Sequence, residues 1–128
     1  CRVELVDSSA LAVTAATRTL EANRLENGRA YPSDVFSEVE GRFSMILSNP
    51  PFHHHVETDY RVHAALVEGA RGHLLPEGEL MLVVNRFLPL MTPLRAAFQE
   101  VEVVFEDRRF RVYRARRPRR AVQSRASR

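Results

Sequence analysis

The chain has 128 residues, one domain's worth and long enough for a single hydrophobic core. A hydrophobic fraction of 45% excludes a disordered class, and no apolar run approaches the roughly 20 residues of a membrane helix. The formal charge of +3 conceals an asymmetry: residues 108–128 hold ten arginines and no acid, residues 1–107 hold nine arginines against sixteen acids, and lysine is absent.

Cysteine usage points the same way as hydropathy. The single Cys1 excludes an internal disulfide and no signal-peptide pattern opens the sequence, so a cytoplasmic protein is expected.

In chain order, Val3, Leu5 and Val6 are strand formers closed by Asp7. Ser8 or Ser9 is placed to cap a helix running to about Asn27, with Gly28 as its stop and Leu11, Ala15, Leu20, Ala22 and Leu25 on a buried face. Ala30 and Tyr31 form a short strand ending at Pro32-Ser33-Asp34. The unbroken run Phe43 to Leu47 is a strand buried on both faces. Thr58 or Asp59 then caps a helix carrying Val62, Leu66, Ala70 and Leu74 at helical spacing. Pro76-Glu77-Gly78 is a turn before the apolar strand Glu79 to Val84, which Asn85 closes. Thr92-Pro93 opens a third helix. Val101 to Phe105 and Phe110 to Tyr113 pair as a hairpin, the second strand carrying its arginines on one face. The folded domain is therefore expected over residues 1–115 and a basic disordered tail over 116–128.

Strand–helix–strand–strand–helix–strand–helix–strand–strand is the order of an α/β fold with a mostly parallel sheet and a terminal antiparallel pair. In such sheets ligands sit beyond the carboxyl ends of the strands. The polar residues expected there are Asp7, Asp34, Asn49 and Asn85. An acid at the first strand end can accept both hydroxyls of a ribose, and Asp34 is placed for an adenine amine. The plainer alternative is that both acids cap the element that follows.

The most informative stretch is Ser48-Asn49-Pro50-Pro51-Phe52. The prolines cannot donate to a ladder, and the residue before each is held extended, so the chain leaves the sheet in a restricted conformation. The result is an acceptor-rich cradle of the Asn49 amide and backbone carbonyls beside the flat wall of Phe52. It suits a planar ligand with an exocyclic amine, whose N–H bonds the oxygens accept and whose face the ring covers. The alternative is an ordinary strand exit stiffened by prolines. His53-His54-His55 invites a metal reading, but adjacent side chains diverge and only His63 and His73 remain as further His ligands, so no metal is assigned. The arginines from Arg108 onward have the electrostatic footprint of a phosphate-backbone binder; a solvated terminus is the alternative.

The run Asn49-Pro50-Pro51-Phe52 resembles the motif of S-adenosylmethionine-dependent amino-methyltransferases. From Leu5 to about Arg116 the chain is similar to the catalytic C-terminal half of the ribosomal RNA small subunit methyltransferase C family. The matching residues are Asp34 to Val39, Gly41-Arg42-Phe43, Ser48 to His53, Gly78-Glu79-Leu80, Asn85 to Pro89 and Phe110 to Ala115. The resemblance implies a Rossmann-like class I methyltransferase fold and methylation of a guanine N2 in 16S rRNA. Its partners would be small-subunit rRNA or the assembled small subunit, without membrane or metal; no oligomeric state is implied.

By resemblance Asp7 binds the cofactor ribose, Asp34 its adenine, and Asn49, Pro50, Pro51 and Phe52 hold the target amine, with Asn49 turning it towards the cofactor S-adenosylmethionine. His54 and His55 depart from the small or acidic residues usual there. No Gly-rich turn of the kind that seats the cofactor's methionine part precedes Cys1. The sequence is accordingly expected to be an N-terminally truncated catalytic domain, inactive by itself. Methylation of adenine N6 or a glutamine amide, or an inactive remnant binding RNA or a partner, remain the alternatives.

Overall fold

In the computed structural model, which describes residues 1–120, the elements follow the expected order. They are β1 (Val3–Asp7), α1 (Ala10–Ala22), β2 (Gly28–Pro32), β3 (Phe43–Ser48), α2 (Val56–Gly72), β4 (Leu74–Asn85), α3 (Met91–Ala97), β5 (Phe98–Glu106) and β6 (Phe110–Pro118). The chain divides into two compact units, Cys1–Glu40 and a second beginning at Gly41.

The first unit is a parallel β1–β2 pair with α1 packed against both strands. Ser9 caps α1 by accepting the Ala12 N–H at 3.2 Å. The helix stops at Ala22, short of the expected Asn27, because the Asn23 side chain turns back to the Thr19 carbonyl and Arg24 takes a positive φ of 54°. Gly28 opens β2 rather than ending the helix, and a Cβ there would lie 3.0 Å from Leu20 Cδ2. The expected buried face of α1 is only partly realised: Leu20 is half-buried, Leu11 and Ala15 are exposed. Between the strands the Tyr31 hydroxyl donates to the Glu4 carboxylate at 2.6 Å.

The second unit holds a four-stranded sheet in the order β3-β4-β6-β5. β3 runs parallel to β4, and β6 is antiparallel to both β4 and β5. Within this unit α2 packs on β4 and α3, and α3 on β5. The core gathers Leu80, Leu82 and Val84 of β4, Tyr113 and Ala115 of β6, Phe98, and Leu88, Leu90 and Leu94. Each such aliphatic side chain removed from water stabilises the fold by about 1.5–3 kcal/mol.

β3 is an edge strand and its apolar run is not buried on both faces: Met45 and Leu47 are exposed. Pro76-Glu77-Gly78 is not a free turn but lies within β4. Phe43 faces Leu74 while Met45 already faces Glu79, so the turn-forming residues become a bulge in a continuous strand. β6 continues to Pro118, past the expected domain end at residue 115, because Arg116 and Pro118 pair with Glu100 and Phe98 of β5. The remainder of the expected tail, 121–128, lies outside the described residues.

Candidate active site

The carboxyl ends of β3 and β4 lie at the same end of the second sheet, since the two strands are parallel and Ser48 faces Leu82. Asn49 follows β3 directly and is exposed; Pro50 and Phe52 are half-buried and Pro51 is exposed. Phe52 meets the ring of His54 edge-on, with centroids 4.7 Å apart. His54 holds a φ of 66°, a left-handed conformation that costs a residue with a Cβ and is easiest for glycine.

The loop is anchored by a residue that the sequence offered only as a helix cap. α2 starts at Val56, with His55 at its N-cap position and no side-chain cap bond. Asp59, one turn inside, is buried, and its Oδ2 accepts the backbone N–H of His53 at 3.0 Å and of His55 at 3.2 Å. A carboxylate receiving two N–H bonds at a helix N-terminus is favoured both by the hydrogen bonds and by the helix dipole. The Asp59 carbonyl in turn bonds Nδ1 of His63 at 2.7 Å. His63 is fully buried, and its Nε2 has no hydrogen-bond partner. The sequence signal for Asp59 was its position: an acid a few residues past the prolines, in the first turn of a helix that the loop must enter.

On the same sheet end, β4 closes in a tight turn. Asn85 Oδ1 accepts the Phe87 N–H at 3.0 Å, and the Asn85 carbonyl accepts the Leu88 N–H at 3.0 Å.

Asp7 and Asp34 belong to the first unit, where Asp7 faces Pro32 in the parallel register, so both lie at one end of its strands. The capping alternative applies to Asp7: its Oδ1 accepts the Ser9 N–H at 2.8 Å on the way into α1. Asp34 is exposed, and it contributes only backbone groups to its turn, its N–H donating to Ser37 Oγ at 2.9 Å. The residue shaping that turn is the buried Ser33, whose Oγ donates to the Val35 carbonyl at 2.7 Å and accepts from Glu38 N–H at 3.0 Å.

The arginines of β6 do not share a face. Arg111 reaches the Tyr113 hydroxyl on one side of the strand, whereas Arg114 lies on the other, an odd number of residues away. Ion pairs join Arg111 to Glu106, Arg114 to Glu79 and Arg116 to Glu100, all at 2.8 Å, and Arg117 to Glu100 at 3.3 Å. Such surface pairs add little stability, but they offset part of the positive charge that composition assigns to this stretch. Among the described residues no group of three or more His, Cys, Asp or Glu is arranged to hold a metal ion, and no helix is long and apolar enough to cross a membrane.

Residues 1–114 match the methyltransferase small domain family. Over 114 residues the chain is 48% identical to ribosomal RNA small subunit methyltransferase C of Escherichia coli, covering 89% of this chain and 33% of that protein. The Haemophilus influenzae protein of the same name is 42% identical over 112 residues, covering 88% and 34%. A solved 16S rRNA N2 methyltransferase from T. thermophilus, in complex with AdoMet and guanosine, superposes with a TM-score of 0.80. It is 30% identical, with 91% of this chain and 32% of that one covered. These matches bear out the resemblance and the class I fold; the chain spans about a third of the length of the curated relatives it matches.

Proposed function

Because the chain belongs to the methyltransferase small domain family, we propose that it carries the target-amine site of an S-adenosylmethionine-dependent enzyme that methylates a guanine N2 in small-subunit rRNA. The substrate would be the rRNA, free or in the assembled small subunit, in the cytoplasm.

The observation carrying this reading is Asn49-Pro50-Pro51-Phe52 at the open carboxyl end of β3, with the following loop clamped by Asp59. The Asn49 side-chain oxygen and the Pro50 carbonyl are the groups assigned to accept the two N–H bonds of the guanine amine. Accepting both leaves the nitrogen lone pair facing outward, and Phe52 covers the base plane. Positioning of this kind lowers the barrier by fixing orientation in advance, with no covalent intermediate on the protein. A base in a duplex has to leave its stack to enter.

The exposed carboxylates of Asp7 and Asp34 fit the donors of a nucleoside, ribose hydroxyls for the first and an adenine amine for the second. S-adenosylmethionine, when bound, supplies the methyl group as an electrophile. The T. thermophilus structure, holding AdoMet and guanosine, supports the choice of both ligands.

The test is a chimera in which this chain replaces the matching third of the Escherichia coli relative. With labelled S-adenosylmethionine and small subunits or 16S rRNA, digestion to nucleosides is expected to yield N2-methylguanosine. Label on adenine N6 or on protein glutamine, or none from a folded chimera, would overturn the proposal in favour of another amine target or a binding role.

A further inference from the structure

Phe87 is 70% exposed at the tip of the turn that closes β4, a position where a large apolar ring stands open to water. Single exposed apolar residues are common and carry no message by themselves. Phe87 differs in how firmly it is held and in what lies over it. The turn is fixed from below by the buried Leu88 and Leu90, and from behind by Asn85 Oδ1, which takes the Phe87 N–H. The Arg86 guanidinium sits 5.2 Å from the centre of the Phe87 ring. Arg86 is itself tied to the β5–β6 hairpin, its N–H donating to the Arg109 carbonyl at 2.9 Å and its Nη1 to the Asp107 carbonyl at 3.4 Å.

That hairpin tip is equally well defined. Asp107 Oδ1 accepts the N–H groups of Phe110 and Arg109 at 2.7 and 2.8 Å, and these bonds pull its carboxyl below the usual carboxylate range. The result is an exposed aromatic ring beside the Arg86 guanidinium, on a turn hydrogen-bonded through its backbone to the hairpin tip that carries Arg108 and Arg109 in sequence. Asn85 faces Phe110 in the β4–β6 ladder, so the two turns share one end of the sheet. It is also the end at which Asn49 leaves β3. By register Asn49 lies level with Val83, so Asn85 is two residues, or about 7 Å, farther along the neighbouring strand.

We propose that Phe87, with Arg86, Arg108 and Arg109, forms a subsite for a nucleotide flanking the target in single-stranded RNA. A base stacks on the Phe87 ring and its phosphates meet the arginines. A preformed ring orders few side-chain torsions on binding, and stacking between aromatic side chains and bases tolerates any sequence because every base has a π-face. The subsite would hold RNA next to the Asn49 cradle without choosing the base that enters it. This inference rests on the proposed function only for what the bound RNA is for.

The test uses the 128-residue chain and a fluorescein-labelled single-stranded RNA of mixed sequence, followed by fluorescence polarisation at several salt concentrations. Phe87→Ala is expected to weaken binding about tenfold, within the range for removing one stacked base, with an unchanged salt slope. Phe87→Trp should bind at least as tightly as the native chain. Arg108→Gln with Arg109→Gln should flatten the slope by about 0.7 for each phosphate no longer neutralised. Every variant carries the same C-terminal arginines, so differences report on the subsite, and circular dichroism checks folding. No RNA binding by the native chain, native affinity in Phe87→Ala, or Phe87→Trp as weak as Phe87→Ala would overturn the inference. Expected binding results with no N2-methylguanosine from the chimera would leave the subsite standing and remove the proposed reaction.

Discussion

The buried carboxylate of Asp59 accepts the backbone N–H of His53 at 3.0 Å, and through that bond the first turn of α2 holds the loop that follows Phe52. One oxygen serves both His53 and His55, so Asp59→Asn retains an acceptor for them and Asp59→Ala does not. A fully buried unpaired donor costs about 1–3 kcal/mol, and these two, part-buried, lose a fraction of that each when their acceptor is removed. Chemical denaturation should therefore rank native, Asn and Ala in that order of stability. Amide exchange at His53 and His55 should accelerate most in Asp59→Ala; unchanged exchange at both would show that the loop holds itself.

Asn49→Ala addresses the proposed chemistry. In the chimera described above, the substitution should lower the methyl-transfer rate by about two orders of magnitude, the scale for removing one positioned polar group at a reacting centre. Affinity for S-adenosylmethionine, measured by calorimetry, should be unchanged, since the amide is assigned to the target amine. A matching loss of cofactor affinity would move Asn49 out of the target site.

The Glu4–Tyr31 bond gives the first unit a pH window. Donation from Tyr31, then the nearby Arg29 and Arg2 charges, hold the Glu4 carboxyl below its ordinary 4.5 against the opposing effect of burial. Burial, then the hydrogen bond to Glu4, pushes the Tyr31 hydroxyl up to about 12 from 10.0. A depressed carboxyl contributes stability above its unfolded value and loses it as the pH falls below 4.5. A raised phenol contributes below pH 10 and loses it as the pH climbs towards 12. Denaturant midpoints should thus decline on both sides of that plateau. Tyr31→Phe should remove part of the alkaline decline and bring the Glu4 titration back towards its ordinary range. An alkaline arm identical in both proteins would place the transition at another group.

Gly78 lies in the β4 bulge, where an added Cβ would stand 3.0 Å from the Leu75 carbonyl oxygen and 3.1 Å from that of Phe43. Backbone oxygens cannot swing aside as a side chain can. Gly78→Ala should destabilise the chain by about 1–3 kcal/mol, the usual cost of overpacking, as read from urea denaturation. Native stability in that variant would mean that the bulge relaxes freely.

The order of the nine elements among the described residues and the position of the Asn49 motif at a strand's carboxyl end were legible in the sequence. Local signals carry that information: apolar runs such as Leu80 to Val84, the Ser9 cap, and prolines that cannot join a ladder. What followed from pairing was not legible. Pro76 to Gly78 has turn chemistry, yet the register of β3 against β4 absorbs it as a bulge. Arg116 to Pro118 has nothing to bury, yet β5 supplies a ladder and the Glu100 carboxylate that keep it in the sheet. Met45 and Leu47 belong to an apolar run of the kind buried strands show, yet they share one face of β3 and both stand exposed there. Asp59 could be seen as an acid near a helix start. That its carboxylate faces back onto His53 and His55 depends on where α2 begins and on its burial, both set by long-range packing rather than by local residue preference. Hydrophobic pattern and backbone chemistry thus determined which elements form and what closes them. Register, burial and the pairing of charges were decided only when distant segments met, because each depends on a partner strand or helix that no local window of sequence contains.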